Sequence, residues 1–147
     1  MSIFYTKEIV MTRIKCFYIS LLFLGIGLQQ SYSQTYKFRT SGFSVLEKNE
    51  KGKWGKWSDL SLVNISVTLD TDKNRIVVYS RNIQLYNILT YQPESESETD
   101  LVYSFICKDN DGVDCTVSII TRKKQENRKQ LYITYSDHVI VYNIFTM

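Results

Sequence analysis

Residues 62–80 read Leu-Val-Asn-Ile-Ser-Val-Thr-Leu-Asp-Thr-Asp-Lys-Asn-Arg-Ile-Val-Val-Tyr-Ser, and this stretch decides the fold class. Apolar and polar residues alternate from Val63 to Leu69, which is typical of a β-strand with one buried face. Residues 70–74 are mostly short and polar, and such side chains favour turns because they hydrogen-bond to nearby backbone groups. The β pattern resumes at Arg75, so the sequence predicts a β-hairpin.

The same two-residue period recurs along the chain. Further strands are predicted over residues 36–46, 83–91, 101–107, 113–119, 131–135 and 139–145. The dipeptide Asp111-Gly112 lies between two of these runs and predicts a hairpin turn. The first run is either one long strand or two short ones broken at Gly42. The run 83–91 alternates poorly, which favours burial on both of its faces.

The pattern predicts an all-β fold, a single antiparallel and mostly up-and-down meander of eight or nine strands. No segment after residue 34 has the 3.6-residue period of an amphipathic helix. A small calycin-like barrel is favoured over a sandwich, because closing the sheet removes its exposed edges. An eight-stranded barrel is just wide enough for side chains or for one small ligand.

The N-terminal segment has the pattern of a secretory signal peptide over residues 1–33. Its features are the positive residues Arg13 and Lys15, an uncharged apolar run at residues 16–28, and the small residues Ser31 and Ser33 before a cleavage site. The alternative is a retained membrane anchor, but the apolar run is shorter than the roughly 20 residues that a spanning helix needs. Met11 is an alternative start that would shorten the positive region.

Cleavage would leave residues 34–147 as a single all-β domain, exported to the periplasm, the cell surface or the medium. No membrane span is expected after processing. Residues 34–147 contain 15 Lys or Arg and 14 Asp or Glu, a net charge of +1. This near balance argues against a nucleic-acid partner, because phosphate contacts need a concentrated positive face.

Two tryptophans and two tyrosines are the candidate ligand-binding residues, namely Trp54, Trp57, Tyr86 and Tyr103. Trp54 and Trp57 would point to opposite sides of a straight strand, so one is expected in the core and the other on the surface. Exposed aromatic side chains often mark binding surfaces, and tyrosine combines a large contact area with a polar tip.

Parts of the sequence resemble two groups of proteins. Gly52-Lys-Trp54 and Gly55-Lys-Trp57 resemble the Gly-x-Trp signature of the lipocalin first strand, and this resemblance implies a barrel whose closed end is plugged by tryptophan. Most of residues 34–147 resembles small exported all-β proteins of gut Bacteroidota and their phages, which implies export and an all-β fold. The likeness lies in Lys53-Trp-Gly-Lys-Trp-Ser-Asp59, Leu69-Asp-x-Asp-x-x-Arg-Ile76, Tyr79-Ser80, Asp111-Gly112, Cys115 and Leu131-Tyr-Ile-x-Tyr135.

Cys107 and Cys115 flank the predicted turn symmetrically about Asp111, so they are expected directly opposite each other on neighbouring strands. A disulfide is favoured, because the cross-strand separation of about 4.5–5.5 Å overlaps the range that a disulfide needs. The alternative is two reduced cysteines that pack as small apolar side chains.

A cluster of basic residues, here called the basic tip, lies between two predicted strands. It consists of Arg122, Lys123, Lys124, Arg128 and Lys129. One interpretation is a patch for an anionic partner. The other is the solvated end of a hairpin, where charged residues are common.

The sequence predicts no catalytic residue, metal site or cofactor. His138 is the single histidine and follows Asp137 at the start of a strand. Neighbours on a strand point to opposite faces, which favours a turn histidine over a catalytic base held by a carboxylate. Residues 109–114 resemble a calcium loop, but their glycine is fourth rather than sixth, which favours a plain hairpin turn.

The sequence favours a non-enzymatic, exported binding module for a small apolar or glycan ligand. The alternatives are a surface or inhibitor-like protein-interaction domain with a solid core, and a small hydrolase. A hollow interior separates the first two, because only a ligand binder needs one. A hydrolase would need a base and a nucleophile within hydrogen-bonding reach of each other.

The signal-peptide interpretation predicts the N-terminus of the exported protein. Cleavage after Ser33 leaves Gln34 as the first residue, with or without cyclisation to pyroglutamate, and mass spectrometry of the exported protein measures this directly. An intact N-terminus in a membrane fraction would contradict the interpretation.

Overall fold

The computed structural model describes Met11, Arg13 and residues 34–147 of the 147-residue chain. The predicted signal peptide, residues 1–33, lies outside the described residues apart from Met11 and Arg13. No helix among the described residues is long and apolar enough to cross a membrane. From residue 34 onward the chain contains β-strands and turns and no helix.

Ten strands make up the fold. They are β1 (Thr35–Glu47), β2 (Ser61–Leu62), β3 (Ser66–Asp70), β4 (Arg75–Val78), β5 (Gln84–Tyr91), β6 (Ser95–Glu96), β7 (Asp100–Lys108), β8 (Asp114–Arg122), β9 (Arg128–Thr134) and β10 (His138–Thr146).

Eight of these strands close into an antiparallel barrel. Its order is β1-β3-β4-β5-β7-β8-β9-β10, and β10 pairs with β1 to complete the ring. The two-residue strands β2 and β6 are added to β1 and β7. Each long strand neighbours the next one along the chain, so the predicted all-β meander and the choice of a small calycin-like barrel are confirmed.

The hairpin predicted over residues 62–80 is formed by β3 and β4. Asp70 begins its turn, and Oδ1 of Asp70 accepts hydrogen bonds from the backbone N–H groups of Asp72 and Lys73, both at 3.1 Å. Asn74 ends the turn with a φ of 49°, a left-handed conformation that asparagine tolerates better than most residues. Short polar side chains thus reverse the chain here, as the sequence predicted.

Alternate residues of each strand fill the interior of the barrel. On β8, Cys115, Val117, Ile119 and Thr121 are buried, whereas the residues between them are partly exposed. The rest of the core cluster consists of Phe38, Val67, Leu69, Ile76, Val78, Tyr86, Ile88, Phe105, Cys107, Leu131, Ile133, Tyr142 and Ile144.

β1 is one long strand with a bulge, which resolves the choice left open by the sequence. Its register with β10 shifts between Thr40 and Gly42. A Cβ atom on Gly42 would lie 3.0 Å from both Cδ1 of Leu60 and the carbonyl oxygen of Ser61. Glycine is therefore needed at this position, because Leu60 and Ser61 lie too close to leave room for a side chain. β1 continues past Gly42 as one strand.

The prediction that residues 83–91 are buried on both faces is wrong. Tyr86 and Ile88 are buried, but Ile83 and Leu89 are exposed. The register of β5 with β7 shifts between Ile88 and Thr90, so Leu89 is an extra residue in a bulge. The bulge interrupts the alternation, and a two-residue period cannot be read across it.

The expectation that one tryptophan lies in the core is also wrong. Residues 55–60 form no strand, and Trp54 makes only an isolated bridge with Lys48. The side chains of Trp54 and Trp57 are 46% and 47% exposed. The segment runs outside the barrel, so neither tryptophan plugs an end of it as the lipocalin resemblance implied.

Cys107 and Cys115 lie directly opposite each other in the β7–β8 ladder, as predicted, and both are buried. Both are free thiols in this structure, so the disulfide stays a prediction. Burial raises the pKa of the Cys107 thiol to about 12 and that of Cys115 to about 11. Both sulfurs therefore stay protonated at neutral pH in the folded protein.

A polar network closes the barrel end at which β5 starts. The Tyr135 hydroxyl donates a hydrogen bond to Oδ2 of Asp109 at 2.8 Å. The Tyr86 hydroxyl donates to Oε1 of Gln84 at 2.7 Å, and Nε2 of Gln84 donates to the Tyr142 hydroxyl at 3.3 Å. Burial raises the pKa of Tyr86 and of Tyr135, so both hydroxyls remain donors at neutral pH.

Asp109 holds the β7–β8 turn as well as Tyr135. Its Oδ1 accepts hydrogen bonds from the backbone N–H groups of Asp111 and Val113, each at 2.9 Å. Gly112 supplies the φ of 75° that the predicted Asp-Gly turn requires. Burial raises the pKa of the Asp109 carboxyl, but the hydrogen bonds from Val113, Tyr135 and Asp111 outweigh it and hold the pKa below its usual value.

We expect Asp109→Asn to lower the free energy of unfolding at pH 7 by about 1.5 kcal/mol, because hydrogen bonds to charged groups contribute about 1.5–3 kcal/mol. The folded-state pKa is lowered, so this stabilisation is present above the unfolded-state pKa of about 3.9. It is lost as the pH falls through the folded-state value. Urea unfolding of both proteins at several pH values measures the difference.

Asp111→Asn is the matched control on the same turn, because the exposed Asp111 side chain makes no hydrogen bond to a described residue. It should leave stability unchanged. Equal losses in the two variants, or an Asp109→Asn deficit that does not shrink toward about pH 2, would contradict this role of Asp109.

Candidate ligand-binding site

The other end of the barrel, here called the mouth, contains a cavity of about 430 Å³. Its aromatic lining consists of Tyr36, Phe38, Tyr91, Tyr103 and Phe105. Leu69, Leu101 and Ile119 add aliphatic surface, and Thr71, Thr121, Lys129 and Thr146 add polar groups. The mouth is therefore a largely apolar site with a few polar side chains, which is the usual composition of a small-molecule pocket.

Strand register explains why these side chains converge. Tyr36 pairs with Leu69 across β1 and β3, and Tyr103 pairs with Ile119 across β7 and β8. Paired residues point to the same face of a sheet, so each pair presents two side chains to the interior. The mouth is lined by inward positions at the ends of its strands, beyond the tightly packed core.

Three tyrosines form the outer part of the lining. Tyr36, Tyr91 and Tyr103 are 44%, 45% and 41% exposed, so each combines buried ring surface with contact to solvent. The Tyr91 ring meets the Phe105 ring edge to face, with centroids 5.5 Å apart and planes at 86°. This geometry is favourable for aromatic pairs and leaves ring faces available to a ligand.

Hydrogen bonds at the rim fix the orientation of these rings. The Tyr91 hydroxyl donates to Oδ1 of Asn74 at 2.7 Å, and the Tyr103 hydroxyl donates to Oε1 of Glu94 at 3.3 Å. Burial raises the pKa of both tyrosines, and for Tyr103 the neighbouring Glu94 carboxylate adds to it. The rings are thus held as neutral aromatic walls.

Polar groups of the mouth gather on β8, β9 and β10. Lys129 lies directly opposite Thr121 in the β8–β9 ladder. Nζ of Lys129 donates a hydrogen bond to Oγ1 of Thr121 at 3.0 Å. Lys129 also pairs with Ile144, two residues before Thr146. A positive charge and two hydroxyls therefore lie along one side of the cavity, and the remaining threonine of the lining, Thr71, lies in the β3–β4 turn.

The four aromatic candidates from the sequence are dispersed. Tyr103 lines the cavity, whereas Tyr86 is buried at the closed end of the barrel. Nζ of Lys48 lies 4.8 Å above the Trp54 ring. Trp57 lines a groove of about 300 Å³ on the outer surface, together with Val141 and other outward-facing residues.

The five residues of the basic tip are dispersed as well. Arg122 pairs with Asp100 at 3.1 Å, and Lys123 pairs with Glu96. Lys129 turns into the mouth, and Lys124 is exposed. Arg128 is also exposed and lines the outer groove. The tip therefore contributes one cation to the cavity and does not form a continuous positive patch.

His138 contacts Asp137 although the sequence favoured opposite faces for the two side chains. Their Nδ1 and Oδ1 atoms are 2.7 Å apart, because a bend at residues 136–137 redirects Asp137 before the strand begins. The His138 ring also stacks on Tyr135, with centroids 4.4 Å apart. In the described part of the chain, no hydroxyl or thiol hydrogen-bonds to His138, so the pair lacks a nucleophile in reach.

Sequence reasoning missed Tyr36, Tyr91 and Leu101. Tyr36 and Leu101 share the alternation of their strands, so assigning each strand an inward face and a direction around the meander could have identified them. Tyr91 could not have been found in this way, because the bulge at Leu89 changes which residues of β5 face inward.

Among residues 34–147, no group of three or more His, Cys, Asp or Glu side chains is arranged to hold a metal ion. Comparisons of the chain with protein-family models, with curated proteins and with solved structures found no match.

Proposed function

We propose that the protein is exported and that it is a non-enzymatic binding module that takes a small apolar ligand into the mouth of its barrel. The observation that carries this proposal is the aromatic cavity of about 430 Å³. Ligand pockets are typically about 300–1,000 Å³ and are lined mainly by apolar and aromatic side chains. The size and the lining of the mouth both fit that description.

The energetics of the lining support the same proposal. Apolar surface removed from water contributes about 25 cal/mol per Å², so a ligand that covers the half-exposed rings of Tyr36, Tyr91 and Tyr103 gains affinity from both partners. The rim tyrosines are already oriented by Asn74 and Glu94. A pre-organised site loses little conformational entropy when the ligand binds.

A protein-interaction role is the second candidate, and it is favoured by residues 54–62, here called the outer segment. Trp57, Leu60 and Leu62 are exposed apolar residues, and Leu62 is almost fully accessible. Contiguous exposed apolar surface often marks a protein-binding site. This role requires no cavity, so ligand binding at the mouth distinguishes the two proposals.

We expect the protein to bind N-phenyl-1-naphthylamine, an uncharged aromatic dye whose fluorescence rises in apolar surroundings. Tyr103→Ala should weaken dye binding about threefold to tenfold, because aromatic pairs contribute about 0.5–1.5 kcal/mol beyond area burial. Fluorescence titration of the two proteins gives the dissociation constants.

Tyr79→Ala is the matched control, because Tyr79 is as exposed as the rim tyrosines but does not line the cavity. It should bind the dye like the parent protein. Equal effects of the two substitutions, or no dye binding by the parent, would refute ligand binding at the mouth. A Leu62→Ser variant that alone loses dye binding would place the dye on the outer segment instead.

We also propose that Cys107 and Cys115, which face each other across β7 and β8, form a disulfide once export brings the protein into an oxidising compartment. The closed loop is short, so the cross-link should contribute about 2–3 kcal/mol to stability. Cys115→Ala should therefore cost more stability in air than in excess reductant, as measured by thermal unfolding. An equal cost under both conditions would mean that the thiols remain free.

A further inference from the structure

Lys129 is unusual among the residues that line the mouth, because it brings a full charge to an apolar cavity. Lysines near apolar surface commonly extend their ammonium group into water. Here Nζ instead donates to Oγ1 of Thr121, a residue that is only 7% exposed. This hydrogen bond holds the ammonium group at the cavity wall.

The charge of Lys129 has no protein counter-ion in the described part of the chain. Ion pairs there join Lys108 to Asp114, Arg122 to Asp100 and Lys123 to Glu96. Arg122 and Lys123 of the basic tip thus have carboxylate partners, and Lys124 and Arg128 are exposed to solvent, whereas Lys129 lines the cavity with only a neutral hydroxyl as its partner.

The Lys129–Thr121 pair retains hydrogen-bonding capacity for a ligand. An ammonium group has three donors, and Lys129 uses one of them on Thr121. The Thr121 hydroxyl accepts that bond and donates to no described residue, so its own proton is available. Two donors, one of them charged, can therefore converge on a single acceptor such as an anionic oxygen.

We propose that the mouth binds small amphiphiles that carry one anionic end group, such as a carboxylate or a sulfonate. Lys129 and Thr121 bind the anionic group near the rim, and the apolar body lies deeper, against Phe38 and Phe105. This inference rests on ligand binding at the mouth and adds the charge of the ligand to it.

A pair of dyes that share one ring system tests the inference. N-Phenyl-1-naphthylamine is uncharged, and 1-anilinonaphthalene-8-sulfonate is the same molecule with a sulfonate. Lys129→Met keeps an unbranched apolar side chain and removes the charge. It should weaken sulfonate binding about tenfold to a hundredfold relative to binding of the uncharged dye, since hydrogen bonds to charged groups contribute about 1.5–3 kcal/mol.

Two further variants make the result specific. Lys129→Arg keeps the charge and should retain sulfonate binding. Lys124→Met removes an exposed charge from the same hairpin without touching the cavity and should change neither dissociation constant. Sulfonate binding by the parent should also weaken as salt rises from about 50 mM to about 0.5 M, whereas Lys129→Met should show little salt dependence.

The possible results separate this inference from the proposed function. If Lys129→Met changes the affinities of the two dyes equally, or changes neither, the anionic end group is refuted while binding of the uncharged dye still supports the module. If the parent binds neither dye, both proposals fail. If Lys124→Met weakens sulfonate binding as much as Lys129→Met, general surface charge is responsible and the assigned pair is wrong.

Discussion

The double pairing of β1 is the constraint on which the rest of the structure depends. Its first part, Thr35–Arg39, pairs with β3, and residues 38–47 pair with β10. Without the second set of hydrogen bonds, β1 and β10 would be the exposed edges of an open sheet, which invite association with other chains. The same pairing defines an inside and an outside, so every inward position follows from it.

Thr40 satisfies the backbone where β1 passes from one partner to the other. It is 1% exposed, and its hydroxyl donates to the carbonyl oxygen of Val63 at 2.8 Å. Oγ1 of Thr40 also accepts a hydrogen bond from the backbone N–H of Ile65 at 3.1 Å. Residues 63–65 belong to no strand, and burying their polar groups without partners would cost about 1–3 kcal/mol each. The Thr40 side chain therefore supplies hydrogen-bond partners for the backbone at the point where the β1–β3 ladder ends.

The regular parts of this architecture can be predicted from the sequence, whereas the irregular parts cannot. A two-residue period and short polar turns depend on neighbours in the chain, so the β3–β4 hairpin and the Asp-Gly turn were predictable. The bulges near Gly42 and at Leu89 depend on how two strands fit against each other, and single-strand periodicity carries no such information. Trp54 and Trp57 were misplaced for a related reason, because the rule of alternating faces applies only within a strand.

The same difference between local patterns and cross-strand pairing decides which residues of the candidate site could be predicted. Aromatic character alone predicts Tyr103 and Tyr86 equally as ligand-binding residues, although Tyr86 is buried in the core. In the sequence, Lys129 is one member of a basic cluster, and nothing local distinguishes it from the other four cations. Pairing across strands makes them different, because Asp100 and Glu96 lie beside Arg122 and Lys123 while β9 turns Lys129 inward.

Whether a cation of the basic tip can bind an anion therefore depends on where its side chain lies and not on the net charge of the domain. The net charge of residues 34–147 is only +1, so the domain as a whole produces little long-range attraction for anions. A cation inside an apolar cavity acts differently, because the low dielectric of its surroundings strengthens its attraction to a nearby anion. The mouth supplies such surroundings to Lys129. At the other end, the side chains of Asp109 and Gln84 already have partners among Tyr135, Tyr86 and Tyr142, whereas the Lys129 ammonium group keeps donors that a ligand can use.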